Sequence, residues 1–95
     1  MKLFNKECEI CLKTYNGGPS DIIIKFDDGK VVSLGNAKGN VTKPYPDGLM
    51  DKCINEMKIN GGSLDKDGLH NIKNDDIFNY VLSLENEIQQ EYLKL

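Results

Sequence analysis

Hydrophobic residues recur with helical spacing over the last quarter of the chain. Ile77, Val81 and Leu84 follow one another at intervals of four and three residues, which places them on one face of a helix. Asn74, followed by two aspartates, is typical of a helix N-terminus, and the segment contains neither Gly nor Pro. The pattern predicts one continuous helix over about residues 74–95. Three further residues are predicted to widen its buried face: Phe78, Leu82 and Tyr92.

An alternation of apolar and polar residues earlier in the chain predicts three β-strands. They cover about residues 7–15, 21–27 and 30–35. A Gly-Gly-Pro segment separates the first strand from the second, because Gly permits turn conformations and Pro cannot continue a ladder. The three strands together predict an antiparallel meander.

The loop between the second and third strands decides which residues face each other. A two-residue loop would place Phe26 opposite Val31 and mix apolar with polar residues on both faces. A three-residue loop with Gly29 in the left-handed region and a bulge instead pairs Ile24 with Val32. Because one face then becomes consistently apolar, we predict the three-residue loop.

The order of elements predicts the fold class. A second helix is predicted over about residues 47–60, where apolar residues recur at helical spacing before a Gly-Gly stop. Strands followed by helices favour an α+β fold, in which the three-stranded meander packs against the two helices. Residues 35–48 form a long irregular connection, and residues 63–73 form a polar connector. We expect residues 1–95 to make a single globular domain.

The basic residues have an unusual composition. All twelve are Lys, although Arg is the residue best suited to bidentate contacts with phosphate and guanine. Together with a formal net charge of −3, this argues against a nucleic-acid partner. Codon bias in an AT-rich genome explains the same composition without any function.

The acidic residues are concentrated near the C-terminus. Residues 75–95 contain five acidic residues and one Lys, a net charge of −4. The predicted acidic helix is interpreted either as a contact for a protein with a basic surface or as an ordinary solvated face.

The hydropathy pattern bears on localisation. No apolar run approaches the roughly 20 residues of a membrane span, and the N-terminal residues lack the apolar core of a signal peptide. We expect a cytoplasmic protein with no membrane contact.

Cys8 and Cys11 form one C-x-x-C spacing. Two thiolates at this spacing can share a tetrahedral zinc ion when the backbone makes a knuckle turn, and Cys53 and His70 would complete a Cys₃His set. The predicted strand opposes this arrangement, because residues three apart in a strand point to opposite faces. A zinc-stabilised module therefore stands as an alternative to small buried thiols.

Residues 35–40 follow a predicted strand and superficially resemble a phosphate-binding loop. The spacing of the glycines and Asn40 depart from the Walker pattern. Lys38, Lys43 and the loop backbone would still provide a site for an anionic small molecule or nucleotide, held in an oligomer.

The remaining hypothesis is a small non-enzymatic binding protein that acts by protein–protein contact. Its contact surface would be the sheet edge, the 35–48 loop or the acidic helix. Small size, acidic charge and the lack of Arg also fit, by association, a phage-type inhibitor of a host defence enzyme, such as an anti-CRISPR protein. Apolar residues at the end of the last helix add a contact with a second copy as an expectation. They are Tyr92, Leu93 and Leu95.

Overall fold

A computed structural model of the chain describes residues 1–13, 21–35, 40–41, 45–59 and 69–95. These residues form an α+β fold of five strands and three helices. The strands are β1 (Lys2–Leu3), β2 (Lys6–Lys13), β3 (Asp21–Phe26), β4 (Val31–Leu34) and β5 (His70–Asn71). The helices are α1 (Leu49–Ile59), α2 (Asp75–Ser83) and α3 (Glu85–Leu93).

All strand pairs are antiparallel: β2 pairs with β1, β3 and β5, and β4 pairs with β3. The order across the sheet is β1-β2-β3-β4, and β5 pairs with β2. The predicted meander corresponds to β2, β3 and β4. The sequence prediction missed β1 and β5, because a strand of two residues is too short to show an alternation.

The β3–β4 hairpin has the predicted register. Ile24 pairs with Val32, and Ile22 pairs with Leu34. Gly29 has a φ of +90°, the left-handed value that the bulged three-residue loop requires. The loop therefore places the apolar residues of both strands on one face of the sheet.

The predicted long helix is correct in position but wrong in continuity, because it is divided at Leu84. The Leu84 N–H donates to the carbonyl of Val81 at 3.0 Å instead of to Tyr80, four residues back. The Ser83 hydroxyl donates to that Tyr80 carbonyl at 2.5 Å. A serine hydroxyl inside a helix competes with the backbone ladder in this way, so Ser83 gives the physical reason for the division.

The starts of α1 and α2 follow from local chemistry. The Asn74 side chain accepts a hydrogen bond from the Asp76 N–H at 2.9 Å, which confirms the predicted N-cap. The first helix begins at Leu49 rather than near residue 47. Gly48 has a φ of +82°, and the Leu49 N–H donates to the Pro46 carbonyl at 3.1 Å, so a turn takes up the first predicted residues.

The helices pack against one face of the sheet around a single large cluster. Most apolar residues of the predicted strands and helices are buried there: Ile10, Leu12, Ile22, Ile24, Phe26, Val32, Leu34, Leu49, Cys53, Ile77, Val81, Leu84 and Ile88. Three apolar residues of the predicted helices are half-buried: Ile54, Met57 and Phe78. Within the described residues, no helix has the length and apolar character needed to cross a bilayer.

Candidate functional site

The outer edge of β4 is already occupied by the chain itself. The Val41 N–H donates to the Ser33 carbonyl at 3.1 Å, and the Gly35 N–H donates to the Val41 carbonyl at 3.1 Å. The Asn40 side-chain oxygen accepts from the Ser33 N–H at 2.9 Å. These bonds satisfy the groups of Ser33 and Gly35 that an added strand would use.

At the opposite edge of the sheet, β2 is paired along two separate stretches, by β1 and by β5. Met1 accepts from the Cys8 N–H at 2.9 Å beside β1, and the Ile72 N–H donates to the Ile10 carbonyl at 2.9 Å beside β5. Since β1 and β5 have two residues each, neither offers a long template for another strand. The sheet edges therefore give little support to strand addition.

A cavity of about 210 Å³ lies along the β2 edge between β1 and β5. Ligand pockets usually measure about 300–1,000 Å³, so this one is small. Its lining mixes apolar and polar side chains: Met1, Cys8, Glu9, Ile10, Asn71, Ile72, Lys73 and Phe78. The cavity does not supply a distinct chemistry for a ligand.

The 35–48 loop is described in part. Lys38 and Lys43, the predicted anion-binding residues, lie outside the described residues, so the anionic-ligand alternative stays a prediction. At the end of the loop, the Tyr45 hydroxyl accepts from the Ile22 N–H at 3.2 Å and donates to the Leu34 carbonyl. Burial raises the pKa of Tyr45 to about 12. The Tyr45 hydroxyl is therefore uncharged at neutral pH and links the backbones of Ile22 and Leu34.

The structure separates the predicted zinc ligands. Cys8 lies in the main core, whereas Cys11 lies in a small cluster on the other face of the sheet. Cys53 joins the main core from α1, and His70 pairs with Leu12 from β5. Among the described residues there is no group of three His, Cys, Asp or Glu side chains that could hold a metal ion. The zinc alternative gains no support from this arrangement.

The thiols have environments typical of core cysteines. All three are buried, and no disulfide joins them. Burial raises the pKa of Cys8, and it raises the pKa of Cys53 to about 11. A protonated thiol is a poor nucleophile and a poor metal ligand, so neither group is activated as it stands.

The outward side of α2 and α3 carries a row of exposed residues. Between residues 79 and 93, all of which the structure describes, no exposed residue is charged. We call this set the outer helix face. It consists of Asn79, Leu82, Ser83, Asn86, Gln89, Gln90 and Leu93.

Two leucines make the outer helix face partly apolar. Leu82 is 46% exposed and Leu93 is 72% exposed. The sequence prediction for Leu82 is therefore wrong, because it does not widen the buried face. Leu82 directly follows the buried Val81, and one residue rotates a helix by about 100°, which carries its side chain away from the core.

The acidic side chains lie beside the outer helix face rather than on it. Glu85, Glu87 and Glu91 are half-buried. Glu85 accepts from the Phe4 N–H at 2.8 Å, and Glu91 pairs with Lys94 at 3.2 Å. The negative charge of this region is thus partly compensated within the chain and forms a rim around an uncharged centre.

An aromatic cluster fixes the end of α3 against the sheet. The ring of Tyr92 lies 4.8 Å from that of Phe26 and 5.3 Å from that of Phe4, measured between centroids. Tyr92 is 5% exposed, so the apolar end expected to contact another molecule is reduced to Leu93 and Leu95. The cluster also explains why the outer helix face has a fixed position.

The Phe4 turn shows how this cluster is held together. Phe4 and Asn5 have φ values of +39° and +66°, as a type I′ hairpin turn requires, although Phe is unusual there. Contact with Phe26 at 5.5 Å and the hydrogen bond to Glu85 keep Phe4 in this position. Sequence reasoning missed the turn because it lacks the usual Asn-Gly signal.

No protein-family model, curated protein or solved structure matches this chain.

Proposed function

We propose that the protein is a small non-enzymatic binding protein that acts by protein–protein contact through the outer helix face. The observation that carries the proposal is the lack of charge among the exposed residues between 79 and 93, all of which are described. The centres of protein interfaces are depleted in charged residues, whereas ordinary surfaces are rich in Lys, Glu and Asp. Leu82 and Leu93 supply the apolar contact area.

The surroundings of this face favour a protein partner with a basic surface. Glu85, Glu87 and Glu91 flank the uncharged centre, and basic residues around the partner's contact site would meet them at the rim. Rim charges mainly raise the association rate and exclude wrong partners. The uncharged centre would supply most of the affinity.

The specific form that we propose is a phage-type inhibitor of a host defence enzyme, comparable to an anti-CRISPR protein. Enzymes that act on nucleic acids present basic surfaces to phosphate. A small protein with an acidic rim can cover such a surface and exclude the substrate. This step is supported by the size of the chain and by its charge.

The test is inhibition of DNA cleavage by a panel of purified RNA-guided nucleases, with binding measured on the same proteins. We expect the wild-type protein to bind and inhibit at least one of them. Leu93→Asp should weaken that binding by at least about tenfold, because it buries a charge at the contact. Val31→Asp is the matched control, since Val31 is 43% exposed but lies on the sheet face opposite the helices.

The outcomes separate the parts of the proposal. If no nuclease in the panel is bound, the inhibitor function is wrong. If a nuclease is bound and Leu93→Asp and Val31→Asp bind it equally well, the function stands but the outer helix face is the wrong surface.

A further inference from the structure

We infer that the partner segment on the outer helix face is a single basic α-helix that lies lengthwise along it, with Lys or Arg on both of its sides. This inference rests on the proposed function, because it names the element that occupies the same surface. The seam of that helix, which touches the outer helix face directly, combines apolar side chains with Asn or Gln. A shape and a side-chain pattern are thereby added to a partner so far defined by its charge.

The uncharged part of the surface is a strip about one helix wide. One residue rotates a helix by about 100°, so Glu85 and Glu87 lie on opposite sides of the exposed Asn86. Between residues 79 and 93, all of which are described, the exposed residues recur every three or four positions, over about 21 Å at 1.5 Å per residue. A helix about 10 Å wide matches this long, narrow strip, whereas a flat sheet face would also cover the acids on both sides.

Backbone hydrogen bonding also favours a helix over an extended segment. Both α2 and α3 are described along their whole length, and they use their backbone groups in their own helical ladders. An extended segment buried against them would lose the water bound to its N–H and C=O groups without gaining new partners. A helix satisfies these groups internally and contacts the surface with its side chains.

Charge complementarity determines the sides of the partner helix. Glu85 accepts from the uncharged Phe4 N–H at 2.8 Å, so it keeps its negative charge on one side of the strip. Glu87 and Glu91 are four residues apart on the other side, where Lys94 pairs with Glu91 at 3.2 Å. Long Lys or Arg side chains on both sides of the partner helix reach towards these acids, as the residues beside the seam of a coiled coil do.

The centre of the strip determines the seam of the partner helix. Leu82 is 46% exposed and Leu93 is 72% exposed, and both favour apolar side chains opposite them. The exposed Asn86 and Gln89 lie between the leucines, and each amide both donates and accepts hydrogen bonds. Covering these amides with apolar side chains alone would remove water without replacing its hydrogen bonds. A seam that contains Asn or Gln therefore fits better than one made of Leu alone.

The experiment measures the binding of synthetic helical peptides to the full chain by fluorescence anisotropy. The basic peptides have three heptads, Leu and one Asn in the seam, and Lys on both sides, with the Asn in each of three registers. The control peptides carry Glu in place of every Lys. We expect at least one basic peptide to bind with a Kd below about 100 μM, and its acidic control to bind at least about tenfold more weakly. An all-Leu seam should weaken the binding of that basic peptide several-fold.

Substitutions in the protein locate the bound peptide. Leu82→Ala and Leu93→Ala in one chain should weaken binding by at least about tenfold, because they remove the apolar contacts. Val31→Ala is the matched control, since Val31 is 43% exposed on the sheet face opposite the helices. Glu87→Gln should weaken binding and reduce its dependence on salt. Glu9→Gln removes the same charge from an exposed position on the face that carries Val31, and it should have a smaller effect.

Three results would overturn the inference. They are the absence of binding by every basic peptide, equal binding of the acidic controls, and equal binding by the double leucine variant and Val31→Ala. Circular dichroism of every variant shows that it is folded. No nuclease takes part in these measurements, so failure of the peptides leaves the inhibitor function standing, and failure of the nuclease panel leaves the basic helix standing.

Discussion

Two tyrosines close the two ends of the β3–β4 hairpin, and they do so with different partners. At the turn end, the Tyr92 hydroxyl donates to the Asp28 carboxylate. At the open end, the Tyr45 hydroxyl bridges the Ile22 N–H and the Leu34 carbonyl. The Tyr92 hydroxyl therefore bonds to an exposed charged side chain, whereas the Tyr45 hydroxyl bonds to the backbone of the sheet.

The different partners determine how each tyrosine hydrogen bond contributes to stability. The pKa of Tyr45 is raised mainly by burial, so its hydroxyl replaces water for two backbone groups in the interior. The pKa of Asp28 is lowered, first by the hydrogen bond from Tyr92 and then by the Lys30 N–H. The stabilisation by the Tyr45 hydrogen bonds should depend little on salt or mild acid, whereas the stabilisation by the Tyr92 hydrogen bond should depend on the charge of Asp28.

The largest effect is expected from packing at the turn end. Phe26→Ala removes the ring between Phe4 and Tyr92 from a site that is 5% exposed. We expect a loss of about 3–5 kcal/mol in the free energy of unfolding, from lost burial and from the cavity left behind. Chemical denaturation followed by circular dichroism measures it.

Val31→Ala is the control for Phe26→Ala. Val31 belongs to the same hairpin but is 43% exposed on the other face of the sheet. Its substitution should change the free energy of unfolding by less than about 0.5 kcal/mol. Comparable losses for the two variants would show that the aromatic cluster is not a major support of the fold.

A smaller effect is expected from the tie at the open end. Tyr45→Phe keeps the ring but removes both hydrogen bonds to Ile22 and Leu34. We expect a loss of about 1–2 kcal/mol, because two buried backbone groups lose a partner. Equilibrium unfolding in urea measures the change.

Tyr80→Phe is the matched control for Tyr45→Phe. The Tyr80 ring packs edge-on against Tyr45, with 6.1 Å between centroids, and that contact needs no hydroxyl. Its cost should be clearly below that of Tyr45→Phe. An unchanged stability in Tyr45→Phe would mean that the two backbone groups close directly onto each other.

The sequence predicted the sheet better than the helical layer. A period of two residues defined β2, β3 and β4, and the requirement for one apolar face selected the pairing of Ile24 with Val32. The division at Leu84 depends on a hydrogen bond by one side chain, Ser83, which a hydrophobic pattern does not show. A Ser in the middle of a periodic segment was the available signal.

The candidate site could be predicted from the sequence only in part. Tyr92, Leu93 and Leu95 were expected to form exposed apolar surface; Leu93 and Leu95 are exposed, whereas Tyr92 is buried. Leu82 was predicted to widen the buried face of the helix, because the hydrophobic pattern does not define where that face ends. The lack of charge on the outer helix face appears only when exposure is known for each residue, since Glu85, Glu87 and Glu91 lie between its members in sequence.

The smallest effect is expected from the charge of Asp28, and it has a defined pH dependence. A carboxyl whose pKa is lower in the folded state stabilises the fold above its unfolded pKa, and this contribution is lost as the pH falls through the folded pKa. The reference pKa of Asp28 is 3.8, and its folded pKa lies below that value. The contribution should therefore be present at neutral pH and disappear in the acid range below about pH 3.8.

Asp28→Asn should remove this part of the acid dependence, as measured by urea midpoints from neutral to acid pH. Because Tyr92 is the first cause of the pKa shift, Tyr92→Phe should flatten the same range. The double variant should add little to either single variant, since both remove one interaction. Full additivity would mean that Asp28 and Tyr92 contribute to stability independently. The contact between the Lys30 ammonium and the Tyr92 ring, 4.5 Å from its centroid, would then be the main electrostatic link at this end of the hairpin.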